Sequence, residues 1–153
     1  MKSFAMQLLL PLMLILMMNC NSQHNKDQLQ KQWSLISFSD FDKTLLMKNN
    51  AYLNLIPKES AENQYSAYMG CNNLFLTAKF DSKGNVEFSD IGATMMYCEN
   101  NMELEKTFIS QIAEMKSYRI ENQRLILADG QGNEMIFTTT EKWCLQFYIK
   151  YPK

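Results

Sequence analysis

The 153-residue sequence has one histidine, His24, and it lies in a polar stretch outside every segment patterned for a core. Its position excludes from the folded part any mechanism that needs an imidazole base, Ser-His-Asp and Cys-His nucleophile systems among them, and any zinc site built on two or three histidines. No Cys-x-x-Cys occurs, and no Lys, Arg or His adjoins Cys71 or Cys98 to lower a thiol pKa. The Gly-x-Gly at Gly130 and Gly132 is not followed by a helical pattern, so it reads as a hairpin and not as a phosphate cradle. A positive stripe is missing as well. Without Lys2 of the leader, 15 − 1 = 14 basic residues face 16 acidic ones, a net charge of −2. The basic residues are scattered, which disfavours nucleic acid as a partner. There is no internal repeat, no low-complexity tract and no amphipathic surface helix, and no cofactor or metal is expected.

The first residues read as a leader. Lys2 is the single charge before an apolar run from Phe4 to Met18 that only Gln7 and Pro11 interrupt. The run is about 15 residues, short of the roughly 20 that a spanning helix needs. Cys20 follows it directly and precedes the polar stretch Asn21-Ser-Gln-His-Asn-Lys-Asp-Gln, the place at which a lipoprotein signal ends. The residues before it, Met17, Met18 and Asn19, depart from a good lipobox, and the alternative is a leader cut elsewhere by the ordinary peptidase. The expected organisation is a signal peptide over 1–19, a polar tether over 20–31 that begins with lipidated Cys20, and one domain over 32–151. Cleavage before Cys20 or after it leaves about 133 residues, enough for one core and too few for two.

Alternation of apolar and polar residues predicts strands at Trp33–Phe38, Tyr52–Ile56, Gln64–Met69, Asn73–Phe80, Val86–Phe88, Ser117–Ile120, Arg124–Ala128, Glu134–Thr138 and Lys142–Tyr151. Residues 38–43 read as an exit loop, and Asp81-Ser-Lys-Gly-Asn, Glu121-Asn-Gln and Asp129-Gly-Gln-Gly-Asn as turns. One stretch changes period. From Asn100, with Glu103 three residues on as in a capping box, apolar side chains fall at Leu104, Phe108, Ile112 and Met115. The pattern predicts one amphipathic helix of about 14 residues, with Glu103, Glu105, Lys106, Gln111 and Glu114 on its wet side. The expected fold class is α+β: a small curved antiparallel β-sheet wrapped around that helix.

Several short motifs then align in order: Trp33-Ser-Leu, Gly70-Cys-Asn, Thr94-x-Met-x-Cys98 and the hairpin pattern Leu125-x-Leu-x-x-x-x-Gly132. In this order and spacing the chain resembles the META domain family, that of the bacterial heat-shock protein HslJ. The resemblance covers nearly all the chain after the leader and implies a small α+β domain with associations to heat shock and antibiotic tolerance. Positions usually basic in the family are Asn73 and Met95 here, and a usual glycine is Leu76.

In an oxidising compartment Cys71 and Cys98 are natural disulfide partners, at strand ends flanking one meander. Closing that loop of roughly 28 residues stabilises by about 3.5 kcal/mol on the chain-entropy account. Cys144 reads as a buried inert thiol; if Cys20 carries no lipid, four cysteines permit three pairings, and Cys20 with Cys144 becomes one of them. Asp81, Asp90, Asp129 and Glu134 could form a carboxylate pair, yet nearly all sit at turn signals where Asp caps backbone amides. Asp129-Gly-Gln-Gly-Asn-Glu resembles a calcium-loop fragment without alternating acidic ligands. Met69, Met95 and Met96 suit a cuprous site or, more commonly, core filling. Tyr65, Tyr68, Phe75, Tyr97 and Tyr118 suit a core or a shallow binding face.

These features predict a non-enzymatic envelope lipoprotein on the periplasmic face of the outer membrane. Its partners would be the membrane, through the lipid, and an envelope protein bound at Gly70, Asn72, Asn73 and Thr94. The alternatives are a carrier of a small apolar ligand held between helix and sheet, and a thiol or carboxylate enzyme.

Overall fold

The computed structural model describes residues 28–58, 61, 63–99 and 101–139. The expected leader, Cys20, His24, Asn100 as the expected cap, Cys144 and the strand expected at Lys142–Tyr151 lie outside the described residues. Among those described, no helix is long and apolar enough to cross a membrane.

Eight strands and two helices follow one another as β1 (Gln32–Phe38), α1 (Lys43–Lys48), β2 (Tyr52–Asn54), β3 (Gln64–Tyr68), β4 (Asn73–Phe80), β5 (Val86–Ala93), α2 (Met102–Ile112), β6 (Ser117–Glu121), β7 (Arg124–Ala128) and β8 (Glu134–Thr139). All strands join one antiparallel sheet in the order β5-β4-β3-β2-β1-β8-β7-β6. The sheet curls until its two edge strands touch at one end. Val86 N donates to Lys116 O (3.0 Å) and Tyr118 N to Gly84 O (2.8 Å), beside a bridge between Asn85 and Ser117. An aromatic clasp closes this end: Phe80 meets Tyr65, Phe88 and Tyr118 edge-on at centroid distances of 5.1–6.2 Å, and Tyr118 Oη donates to Asp81 O (2.8 Å).

Over the described residues the molecule is thus a half-barrel, mostly β, with the two short helices α1 and α2. The expectation of one helix in an α+β fold holds only in part, because residues 38–43 do not simply exit β1 but lead into α1. The local signals for α1 are complete. Asp42 is its N-cap, with Oδ1 accepting from Thr44 N (2.7 Å). Asn50 ends it at a positive φ of 49° while Ala51 N and Asn50 N return to Leu46 O and Met47 O, a Schellman motif.

Helix α2 fills the hollow of the sheet. Leu104, Phe108 and Ile112 are fully buried, and Phe108 meets Phe38 of β1 edge-on at 6.1 Å. The helix has 11 residues, fewer than the pattern predicts, and its N-cap is Asn101, whose side chain makes no capping bond. A second correction concerns Glu105, expected on the wet side and found only 4% exposed. Glu105 precedes Phe108 by three residues and Ile112 by seven, so it shares the buried stripe.

The hairpin turns match their sequences. Asn122 and Gln123 both adopt positive φ (51° and 63°), the primed geometry that suits a two-residue hairpin. Asp81 and Asp129 build equivalent loops: in each, Oδ1 accepts from the backbone N two and four residues on, and Oδ2 accepts from the side chain of Asn85 or Asn133. Asp90 sits at φ 49° where the β4–β5 register shifts between Phe75 and Thr77, a bulge in an edge strand.

Candidate functional site

The four residues expected at a binding face converge where β3 hands over to β4. Met69 is buried, and Gly70 turns the chain at φ 102°. A Cβ at Gly70 would lie 2.7 Å from Asn49 Cβ and 3.0 Å from Asn101 Nδ2, so only glycine lets α1, α2 and this turn meet. Asn101 Nδ2 donates to Gly70 O (2.9 Å), and Asn49 Nδ2 donates to Asn101 Oδ1 (3.0 Å). The expected bridge between Cys71 and Cys98 is present, with Cα atoms 5.9 Å apart.

Asn72 is the hub, at 2% exposure. Its backbone N donates to Glu105 Oε2 (2.7 Å) and its Nδ2 to Glu105 Oε1 (2.9 Å) and to Met96 O (3.1 Å). Its Oδ1 accepts from Met96 N (2.7 Å) and Thr94 Oγ1 (2.9 Å). An Asn side chain has two donor hydrogens and two acceptor lone pairs, and all four are used. Thr94 Oγ1 also accepts from Asn73 N (3.1 Å). Among the described residues no buried side-chain polar atom lacks a partner. Asn72 and Thr94 therefore offer no free polar group outward; Asn73 alone of the four is exposed, while Gly70 is half-buried.

This knot fixes a loop that displays apolar side chains. Met95, Met96 and Tyr97 are 99%, 54% and 84% exposed, between the Thr94 hydroxyl and the Cys98 bridge. Phe75 and Ile56 complete the exposed large hydrophobic side chains among the described residues, and Lys58 Nζ lies 5.7 Å over the Phe75 ring. The aromatic residues singled out in the sequence divide accordingly: Tyr65 and Tyr118 belong to the clasp, whereas Phe75 and Tyr97 face water, and Tyr68 stands half-buried beside Tyr52 (6.0 Å). Alternation in β4 could have placed Phe75 outward. Nothing in the sequence marked Glu105 as the partner of Asn72, because the two meet only when α2 enters the sheet.

Of the remaining polar candidates, Asp81 and Asp129 sit at turns, Asp90 at the bulge of β5 and Glu134 at the start of β8. Asn85 and Asn133 hold the carboxyls of Asp81 and Asp129 below the usual value of 3.8 by hydrogen bonds. Glu134 accepts from Arg119 (3.0 Å), and that bond raises the guanidinium pKa further. Among the described residues no three His, Cys, Asp or Glu side chains are grouped to hold a metal. Met69 is buried while Met95 is fully exposed, so the three methionines do not converge. A depression between α1 and β1 is lined by Ser34, Leu35, Leu46, Met47, Ala51 and Tyr52 among others.

The profile of the META domain matches residues 26–142, most of the chain. The chain belongs to the META domain family. The same fold is also found at low identity in solved structures. A protein from Burkholderia xenovorans, solved by NMR, superposes with a TM-score of 0.57 at 15% identity, over 76% of this chain and 87% of that one. A duf4847 family protein from Bacteroides vulgatus gives 0.51 at 14% identity, over 75% and 96%. At such identity the likeness speaks for the fold. No curated protein matches the chain.

Proposed function

We propose that this META domain is a non-enzymatic binding module of the bacterial envelope, exported by the signal peptide at 1–19, held by a lipid on Cys20, and acting in stress protection through the surface around Met95–Tyr97. The observation that carries the reading is the loop itself. Three successive apolar side chains stand in water, although burying each would gain about 1.5–3 kcal/mol, while a disulfide and the Asn72 hub hold their backbone in place. A loop held in that way loses little conformational freedom on binding. The non-enzymatic part is supported by the lone histidine in the tether and by the inward use of Asn72, Thr94 and Glu105. The stress role rests on the family's associations.

The test replaces Met95 and Tyr97 by Ser and measures melting temperature and stress survival separately. The expected outcome is an unchanged melting temperature with lost survival, since both side chains are exposed. Survival equal to wild type would sink the loop as a binding surface. Hydrolase or thiol oxidoreductase turnover by the purified wild type would overturn the non-enzymatic reading.

A further inference from the structure

The exposed apolar side chains lie in the same sheet as β1, the strand that follows the tether, a few strands away from it. The cross-strand partners Gln32–Asn54, Asn54–Ser66, Ser66–Phe75 and Phe75–Gly92 form one continuous row. The first residue of β1 is thus three strand spacings from Phe75, about 14 Å along the sheet at ~4.8 Å per strand. Gly92 lies two residues before Thr94, where the Met95–Tyr97 loop begins. Seven residues lie between Cys20 and Gln28, the first described residue, so eight residue steps join them. Their fully extended reach is at most about 28 Å. A domain tied at Cys20 is therefore kept within that distance of the bilayer, and β1, the strand that follows the tether, lies three strand spacings from Phe75.

The loop's own chemistry favours lipid over a protein partner. It projects from the surface and is not a groove. At its centre the polar backbone of Met96 is already satisfied, N by Asn72 Oδ1 and O by Asn72 Nδ2, so burial in a medium without hydrogen-bonding partners leaves neither group unpaired. Met side chains adapt to an irregular apolar medium, and Tyr suits the boundary between acyl chains and headgroups. Lys58 stands over Phe75 at the margin, where a lipid phosphate would meet a cation.

We infer that the Met95–Tyr97 loop is a second membrane contact, seating the domain on the bilayer that carries its lipid anchor. The inference rests on the anchoring proposed above and names the partner of that same surface. Such a contact converts a flexible tether into a fixed orientation, because once the first anchor is in place the second engagement is intramolecular.

The experiment uses the full chain in cells, with the photoreactive residue p-benzoylphenylalanine at position 97 or, as an exposed control in the β7–β8 turn, at position 131. After irradiation the chain is purified and its mass measured, and membrane fractionation is run in parallel on wild type and Cys20→Ala. The expected result is an adduct of lipid mass at 97 and none at 131, with wild type in the membrane fraction and Cys20→Ala released. A protein adduct at 97, a crosslink to a second copy, equal lipid labelling at both positions, or no adduct from a membrane-held chain would each overturn the loop contact while leaving the anchor standing. Identical fractionation of wild type and Cys20→Ala would instead remove the anchor on Cys20, and with it this inference.

Discussion

Gly70 and Asn72 carry more of the structure than their size suggests, and both can be tested singly. Ala at position 70 would combine a positive φ, costing about 1–2 kcal/mol for a residue with a Cβ, with overpacking against Asn49 and Asn101 that adds about 1–3 kcal/mol. Gly70→Ala is thus expected to destabilise by about 2–5 kcal/mol in denaturant unfolding, and a loss below the error of the measurement would show that α1 and α2 can separate there. Asn72→Ala leaves the Glu105 carboxylate buried without its side-chain donor and frees Met96 from both its bonds. A cost of about 3 kcal/mol is expected, in the range for a buried charged group that loses a hydrogen-bond donor while Asn72 N still serves its other oxygen. If Asn72 served a ligand and not the fold, stability would barely change.

At the scale of elements, the two Asp-capped loops predict how the domain responds to acid. Hydrogen bonds from Asn85 and Asn133 are the largest cause of the lowered pKa of Asp81 and Asp129. A carboxyl whose folded pKa lies below its unfolded value adds stability that is complete above the unfolded value, here 3.8, and is lost as pH falls through the folded one. Melting temperature should therefore drop as pH falls below about 4, and Asp81→Asn with Asp129→Asn should flatten that drop. An unchanged acid profile in the double variant would mean that the loops do not contribute to it. These loops were legible in the sequence, since Asp followed four residues later by Asn states its own hydrogen bonds. Helix α1 could have been read the same way, from Asp42 and Asn50, but six residues give too short an apolar period to show by pattern alone.

At the scale of the whole molecule, the half-barrel depends on α2 filling the sheet. Phe108 is fully buried and touches Phe38, so Phe108→Ala should cost about 3–5 kcal/mol. Chemical denaturation of the variant checks this, and a change near zero would place the helix outside the core. A domain of this size has little to spare beyond such a loss, so unfolding at physiological temperature would also fit the prediction.

The sequence alone determined what local chemistry and period determine: the places of strands β1 to β8, although β5 runs on to Ala93 past the expected Val86–Phe88, the hairpin turns between them, the apolar stripe of α2, the family, and Cys71 with Cys98 as partners. Each depends on residues close along the chain or on motifs whose order is itself in the sequence. The tertiary structure decided what depends on contacts between distant segments. It turned Glu105 from a wet-side residue into the buried partner of Asn72, 33 positions away, because the end of a helix stripe becomes core or surface only when something packs against it. It also turned Asn72 and Thr94 inward and left Met95, Met96 and Tyr97 in water, since an apolar loop reads in sequence like core until the sheet has curled and its interior has been filled by other side chains.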